Sequence, residues 1–423
     1  MTSRILLLTY GSRGDVEPFV ALALGLKRTG FEVSLATAAR FQDFVEGFGI
    51  AFHPLPDDAL ALIETPDGKA MIEGASGLVR RIAAGARLAR QSAPINARMM
   101  EAAWQVAGAV RPDLIVFHPK VMAAPHIAEA LRIPAAMATL QPLIVPTRAF
   151  PASLRAMPIP GYNRLTYRLV GLSYAAFRGK VNRFRGDVLG LGPIRSGREV
   201  LLPRALGDVP VLHAISPAVL PRPADWPDHA HMTGYWRLPE ERTDLPEGLD
   251  AFLGAGPPPV FVGFGSMTSA DPGTLSRIVS EALESTDQRA VVSEGWAGLN
   301  VTDSARVFAV PPMPFGALFP KMAAVVHHGG AGTTAEGFHA GVPQVICPFF
   351  GDQPFWAERS VALGVGAPPV PRRIMTAERL AATIRIAVED GAMQRKAANL
   401  AEELHREDGV AEAVRILSAL VRT

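Results

Sequence analysis

Ala324 to Trp356 reads AVVHHGGAGTTAEGFHAGVPQVICPFFGDQPFW. An apolar run ends at His327 and His328. A loop of Gly329, Gly330, Ala331 and Gly332 follows, and a helical pattern opens among the threonines. Gly341 closes that pattern with Pro343 just beyond it, the stop signals of a helix C-terminus. The next apolar run, QVICPF, leads to Asp352 and Gln353. Strand, tight turn, helix and strand in this order form the repeating unit of a parallel sheet covered by helices.

The same rhythm extends outward. PPVFVGFGS, RAVVSE and ARVFAV read as strands, and PGTLSRIVSEALEST and AERLAATIRIAVED as helices. It also occupies the first half of the chain. RILLLTYG, EVSLAT, PDLIVFH and IPAAMATL read as strands, and PFVALALGLKRTG and APHIAEALR as helices. The expectation is α/β, with two doubly wound halves. Prolines at 217, 221, 223, 227, 239 and 246 lie between them and cannot sit inside regular elements. The expected division is a first domain over 1–216, a Pro-rich linker over 217–245 and a second domain over 246–390. A C-terminal helix over 391–423 would pack back across the junction. A length of 423 residues agrees with two domains.

Composition narrows the function. A net charge of +2 gives no support to general nucleic-acid binding. The single cysteine, Cys347, excludes a disulfide framework and reads as a core thiol, which fits a reducing, cytoplasmic compartment. Ile5 to Leu8 is too short for a signal-peptide core, and no apolar window reaches spanning length. One segment departs from the average: between Glu129 and Asp187 there is no acidic residue but nine Arg or Lys, interleaved with Tyr162, Tyr167, Tyr174, Phe177 and Phe184. It reads either as a helix pair with solvated charges or, over 161–185, as a basic amphipathic lip for peripheral contact with the inner face of a membrane.

The glycine turn lets a ligand approach the backbone, and the helix start supplies unpaired N–H donors and the positive dipole end. Together they suit a phosphate. A tight turn with an ordinary Thr cap is the structural alternative. The turn lacks the dinucleotide fingerprint and the P-loop lysine. Glu336, eight residues past His328, is placed for ribose hydroxyls, and Asp352 with Gln353 for sugar hydroxyls at the carboxyl end of a strand. Ser266 in GFGS opens the same face and suits a phosphate; Trp296 suits base stacking or the core. In the first half, TYGSRGDVEPF places Asp15 at another strand-to-helix turn. It reads as the N-cap of a helix starting at Val16 or as a general base, although a helix N-terminus lowers a carboxylate pKa. His118, ending DLIVFH, is the second candidate base.

These motifs resemble family 1 nucleotide-sugar glycosyltransferases of GT-B fold. VVHHGGAGTTAEGFHAGVPQVICPFFGDQPFWAERSVALGVG resembles their donor motif. GSRGDVEPFVALALGL is similar to the opening of sterol 3β-glucosyltransferases and of bacterial antibiotic, vancomycin-type enzymes. The resemblance implies two Rossmann-like domains facing a central cleft. It implies that His328, rather than His327, contacts the donor diphosphate, together with Gly330, Ala331, Gly332, Thr333 and Ser266. It sets Glu336, Trp296 and Met313 at the ribose and base, Asp352 and Gln353 at the donor sugar, and Asp15 as the acceptor-activating base. The plant enzymes' base-stacking Trp is missing, with Val310 near its place. The implied reaction is inverting transfer of a hexose to a hydroxyl of an apolar acceptor such as a sterol. It needs no metal and no cofactor beyond the nucleotide sugar, UDP-glucose by the wording FFGDQPFW. TDP- or UDP-sugar transfer to a polyketide, macrolide or glycopeptide is the alternative. An epimerase or hydrolase on the same fold and a non-catalytic nucleotide-sugar-binding protein are the rivals.

Overall fold

The computed structural model describes residues 2–64, 78–152, 155–239, 245–265, 272–293, 305–311 and 313–421. The chain forms two compact units: Met1–Ala152, Met157–Pro239 and Asp408–Thr423 make the first, Ser153–Ala156 and Glu240–Glu407 the second.

The first unit contains β1 (Arg4–Leu8), α1 (Arg13–Arg28), β2 (Glu32–Ala38), α2 (Gln42–Glu46), β3 (Ala51–Leu55), α3 (Asp58–Glu64) and α4 (Leu78–Val110). It continues with β4 (Leu114–Phe117), α5 (Ala124–Leu131), β5 (Ala135–Thr139), α6 (Tyr162–Ala175), α7 (Arg178–Asp187), β6 (Val211–His213) and β7 (Ala230–Met232). The strands form one parallel sheet in the order β3-β2-β1-β4-β5-β6-β7. The chain winds outward from β1 to one edge and then from β4 to the other. The carboxyl ends of β1 and β4 therefore frame the crevice where a doubly wound sheet takes its ligand. Asp15 follows β1 and His118 follows β4.

The second unit contains α8 (Leu249–Gly254), β8 (Val260–Gly263), α9 (Pro272–Thr286), β9 (Ala290–Ser293), β10 (Val307–Val310), β11 (Ala324–His327) and α10 (Ala331–Ala340). β12 (Gln344–Ile346), α11 (Gln353–Leu363), α12 (Ala377–Glu389) and α13 (Gly391–Leu404) complete it. Its parallel sheet runs β10-β9-β8-β11-β12, with the winding reversal between β8 and β11. Strand residues alternate between the two faces: Val260, Val262, Ala324 and Val326 enter one apolar cluster, Phe261 and Val325 the other. Burial on both faces is why these strands read as unbroken apolar runs.

Two boundaries differ from the sequence reading. The stretch 217–245 includes β7, the edge strand of the first sheet, which fits into the proline-free interval between Pro227 and Pro239 where every residue can donate to a ladder. The C-terminal pattern is two helices. α13 stays with the second unit, and the chain returns at Asp408 to form α14 (Gly409–Val421) on the first. There Val410, Val414 and Leu417 join the cluster built by Phe19, Leu22 and Leu26 of α1. A side chain at Gly25 of α1 would overlap Val410, so this glycine sets how closely α14 lies.

Candidate active site

In the second unit His327 is the last residue of β11, and its ring is fully buried. Nε2 lies 2.8 Å from Gln344 Oε1, and Nδ1 accepts from the Gly329 N–H at 3.1 Å. These partners fix Nε2 as the donor. Gln344 Nε2 in turn donates to the Thr334 carbonyl at 3.2 Å, so the histidine ties β11, β12 and α10 together. Burial, with the neighbouring His328, pushes its pKa down to about 3.

His328 has a different environment. Its ring is buried too, yet Nδ1 has no hydrogen-bond partner among the described residues. Burial pushes its pKa down to about 4, so the imidazole is neutral at pH 7 and carries one N–H donor. Two glycines make room for it. A Cβ at Gly330 would lie 2.6 Å from Nε2, and one at Gly265 3.1 Å from Cε1. Gly330 is also the N-cap of α10, which starts at Ala331. The N–H groups of Ala331, Gly332 and Thr333 thus fall in the first helical turn, where no intrahelical acceptor reaches them. The helix begins two residues before the threonines, because the extended Gly330 already accepts from Thr334 N at 2.9 Å.

Glu336 is half-buried on α10. Asp352 stands at the N-cap position of α11 without a side-chain capping bond, and its Oδ2 accepts from Trp356 Nε1 at 2.8 Å. Gln353 is nearly buried, and its Oε1 accepts from the Phe349 and Phe350 N–H groups at 2.7 and 3.1 Å. Its carbonyl therefore holds the loop before α11 in shape, a task the sequence did not suggest. Met313 packs, half-buried, against the apolar cluster of Phe261 and Phe319. Ser266 and Trp296 lie outside the described residues.

In the first unit Asp15 is not the N-cap. Ser12 is, α1 begins at Arg13, and Asp15 occupies the third helical position, from which its carboxylate reaches back. Oδ2 accepts from Ser12 N at 2.8 Å and Ser12 Oγ at 3.0 Å. Oδ1 lies 2.7 Å from Lys120 Nζ and 3.8 Å from His118 Nε2. Burial raises the Asp15 pKa, but Lys120, His118 and the Ser12 bonds outweigh it and hold the carboxyl below its ordinary value. His118 Nδ1 accepts from Lys120 N at 3.3 Å, which leaves Nε2–H directed at Asp15. Burial first and Lys120 second push the His118 pKa down to about 3. A neutral imidazole with Nδ1 capped and its N–H on the Asp15 side, 3.8 Å from Oδ1, is poorly arranged to take a proton itself.

The sequence reading overlooked Lys120, Ser12, Gln344 and Trp356. Lys120 had a signal, since it stands two residues past His118 at the same strand edge. Gln344 had none, because its partners are distant in the chain. Among the described residues no group of three or more His, Cys, Asp or Glu side chains is placed to hold a metal ion, and no helix is long and apolar enough to cross a membrane.

Two parallel sheets of doubly wound units, one presenting a buried histidine over a glycine-led helix start, define the GT-B class of nucleotide-sugar glycosyltransferase. Comparisons agree. Residues 5–149 match the glycosyltransferase family 28 N-terminal domain, and residues 285–420 the erythromycin biosynthesis protein CIII-like C-terminal domain. The solved glycotransferase of kitacinnamycin superposes with a TM-score of 0.73 at 20% identity, covering 100% of both chains. Two sterol 3-beta-glucosyltransferases of Arabidopsis thaliana are 35% and 34% identical over 97% of this chain, which spans 67% and 64% of their lengths. The chain belongs to this GT-B glycosyltransferase family, which includes the sterol 3-beta-glucosyltransferases.

Proposed function

We propose that the protein transfers glucose from UDP-glucose to the 3β-hydroxyl of a sterol or related apolar alcohol, with inversion and without a metal. The observation that carries this reading is the buried Nδ1 of His328, without a partner among the described residues, in its glycine cradle at the start of α10. A neutral donor beside free helical N–H groups suits a diphosphate, whose negative charge grows as the glycosidic bond breaks. Gly330, Ala331, Gly332 and Thr333 supply the backbone contacts, Glu336 the ribose contact and Asp352 the sugar contact. Gln353 contributes its amide while its carbonyl holds the loop. Asp15 accepts the acceptor's proton as the hydroxyl oxygen bonds to the anomeric carbon, and the nucleoside diphosphate leaves from the opposite face.

The test is incubation with UDP-glucose or TDP-glucose and cholesterol, with a macrolide aglycone as a parallel acceptor, followed by mass spectrometry. A steryl glucoside from UDP-glucose is the expected product. Free nucleotide without glycoside would replace transfer by hydrolysis. Product only from the TDP donor and the macrolide would move the protein to the antibiotic branch.

The acceptor's chemistry also suggests where the enzyme works. Met157, Ile159, Leu165, Leu169 and Leu172 are all about half or more exposed, the last three at helical spacing on α6. Arg168 on the same helix and Arg178 and Arg183 on α7 are exposed, whereas Tyr167, Phe184 and Arg185 of this basic segment are buried. We place the first unit's α6 at a peripheral membrane contact on the cytoplasmic side, made by leucines rather than aromatics. Co-flotation with phosphatidylserine vesicles should be lost in Leu169→Glu/Leu172→Glu; flotation unchanged in that variant would reject this placement.

A further inference from the structure

We propose that Lys120 is a positioning residue for transfer: a counter-ion that occupies the basic oxygen of Asp15 until the acceptor hydroxyl displaces it. The proposal rests on the reading of Asp15 as the general base. It concerns a residue that no motif marks.

The two carboxylate oxygens of Asp15 are not equivalent. Oδ2 is held from within its own turn by the Ser12 N–H and hydroxyl. That grip is short-range, belongs to the helix start and has no reason to open during turnover. Oδ1 is held at 2.7 Å by Lys120, whose side chain is half-exposed. A lysine on a flexible stem releases more readily than a helix cap. Oδ1 is therefore the oxygen that can be made available to an incoming hydroxyl. The floor of the pair is Gly11, at φ +146°. A side chain there would overlap the Asp15 carboxylate and approach Lys120 Nζ to 2.8 Å, so the backbone itself is shaped around this ion pair. The other groups facing Asp15 do not replace the lysine. His118 is neutral and its Nε2 stays 3.8 Å from Oδ1, and on α1 Arg13 and Glu17 neutralise each other at 2.9 Å.

The chemical consequence is a base kept weak while the site is empty. Water that reaches the carboxylate then meets an ion pair rather than a free lone pair. A hydroxylated acceptor that brings apolar bulk excludes water, moves the ammonium aside and uncovers Oδ1. Loss of the positive neighbour raises the carboxylate's proton affinity when the proton must be taken.

The experiment follows the Asp15 carboxyl resonance by 13C NMR in acceptor-free enzyme, identified by its disappearance in Asp15→Asn. It also records the pH dependence of kcat/KM with UDP-glucose and cholesterol. Lys120→Met is expected to move the carboxyl midpoint and the acidic limb of kcat/KM upward by about one pH unit, the usual effect of losing an adjacent cation. Lys120→Arg keeps the charge and should leave both in place. An unchanged midpoint in Lys120→Met would overturn the proposal. The base reading fails separately. If Asp15→Asn retained full transfer while Lys120→Met still moved the resonance, the ion pair would stand and the base would lie elsewhere.

Discussion

Replacing the adjacent histidines one at a time separates folding from chemistry. His327→Ala removes the bond to Gln344 Oε1 and the acceptor of the Gly329 N–H, both fully buried. Each orphaned buried group costs about 1–3 kcal/mol, and the lost ring leaves a cavity, so a destabilisation of about 3–5 kcal/mol follows. In a unit of this size that lowers the melting temperature by roughly 10 °C or more. His328→Ala orphans nothing of the kind among the described residues, where its Nδ1 has no partner. Its stability cost is about 1–2 kcal/mol of packing, while loss of one donor to a leaving group typically lowers kcat by about 10²–10³-fold. Thermal melts and steady-state turnover with UDP-glucose read the two effects independently. A His328→Ala enzyme with normal turnover, beside a stable His327→Ala enzyme without it, would refute the assignment of the two rings.

Other consequences are as direct. Asp15→Asn should lower turnover by about 10²–10⁴-fold with donor affinity nearly intact, checked by single-turnover kinetics and calorimetric UDP binding. Gly330→Ala places a methyl carbon 2.6 Å from His328 Nε2 and should displace the ring, weakening UDP binding roughly tenfold to a hundredfold, whereas unchanged affinity would mean the ring is not in the donor site. Trp356→Phe removes the N–H that Asp352 accepts and should raise the donor KM about tenfold with little change in acceptor KM. In the first unit burial holds His118, His126 and His213 down to about 3, about 4 and about 4. The unfolded chain binds protons first, so the stability these rings contribute is complete above about pH 6.5 and is lost as pH falls toward their folded values, at roughly 1.4 kcal/mol per pH unit for each ring. A melting temperature that stays level from pH 7 to pH 5 would contradict this.

The alternation of apolar runs with helical patterns, glycine stops and prolines is local information, and it sufficed for two doubly wound units. The strand-to-helix turn at Asp15 was legible for the same reason, although its cap is Ser12 and Asp15 stands at the third helical position. The choice of His328 over His327 came from the resemblance of one continuous motif; what the structure adds is that His327 is bonded to Gln344 and Gly329, while His328 Nδ1 has no partner among the described residues. The partners of Asp15 were not legible. Lys120 reaches Asp15 across more than a hundred residues only because β1 and β4 are neighbours in the sheet, with Leu8 paired to Phe117. Gln344 meets His327 because β11 and β12 pair, and Gln353 turns its carbonyl inward because the Phe349 and Phe350 N–H groups need an acceptor. Helix ends shifted by a few residues because caps are settled by hydrogen bonds rather than by propensity. The sequence by itself determined the two doubly wound units and the turns at which Asp15 and His328 stand. Only the tertiary structure decided that Lys120 takes Oδ1 of Asp15 and that Gln344 takes Nε2 of His327, because strand pairing brings those partners together, whereas Ser12 and Gly329 hold the other atoms from within a turn.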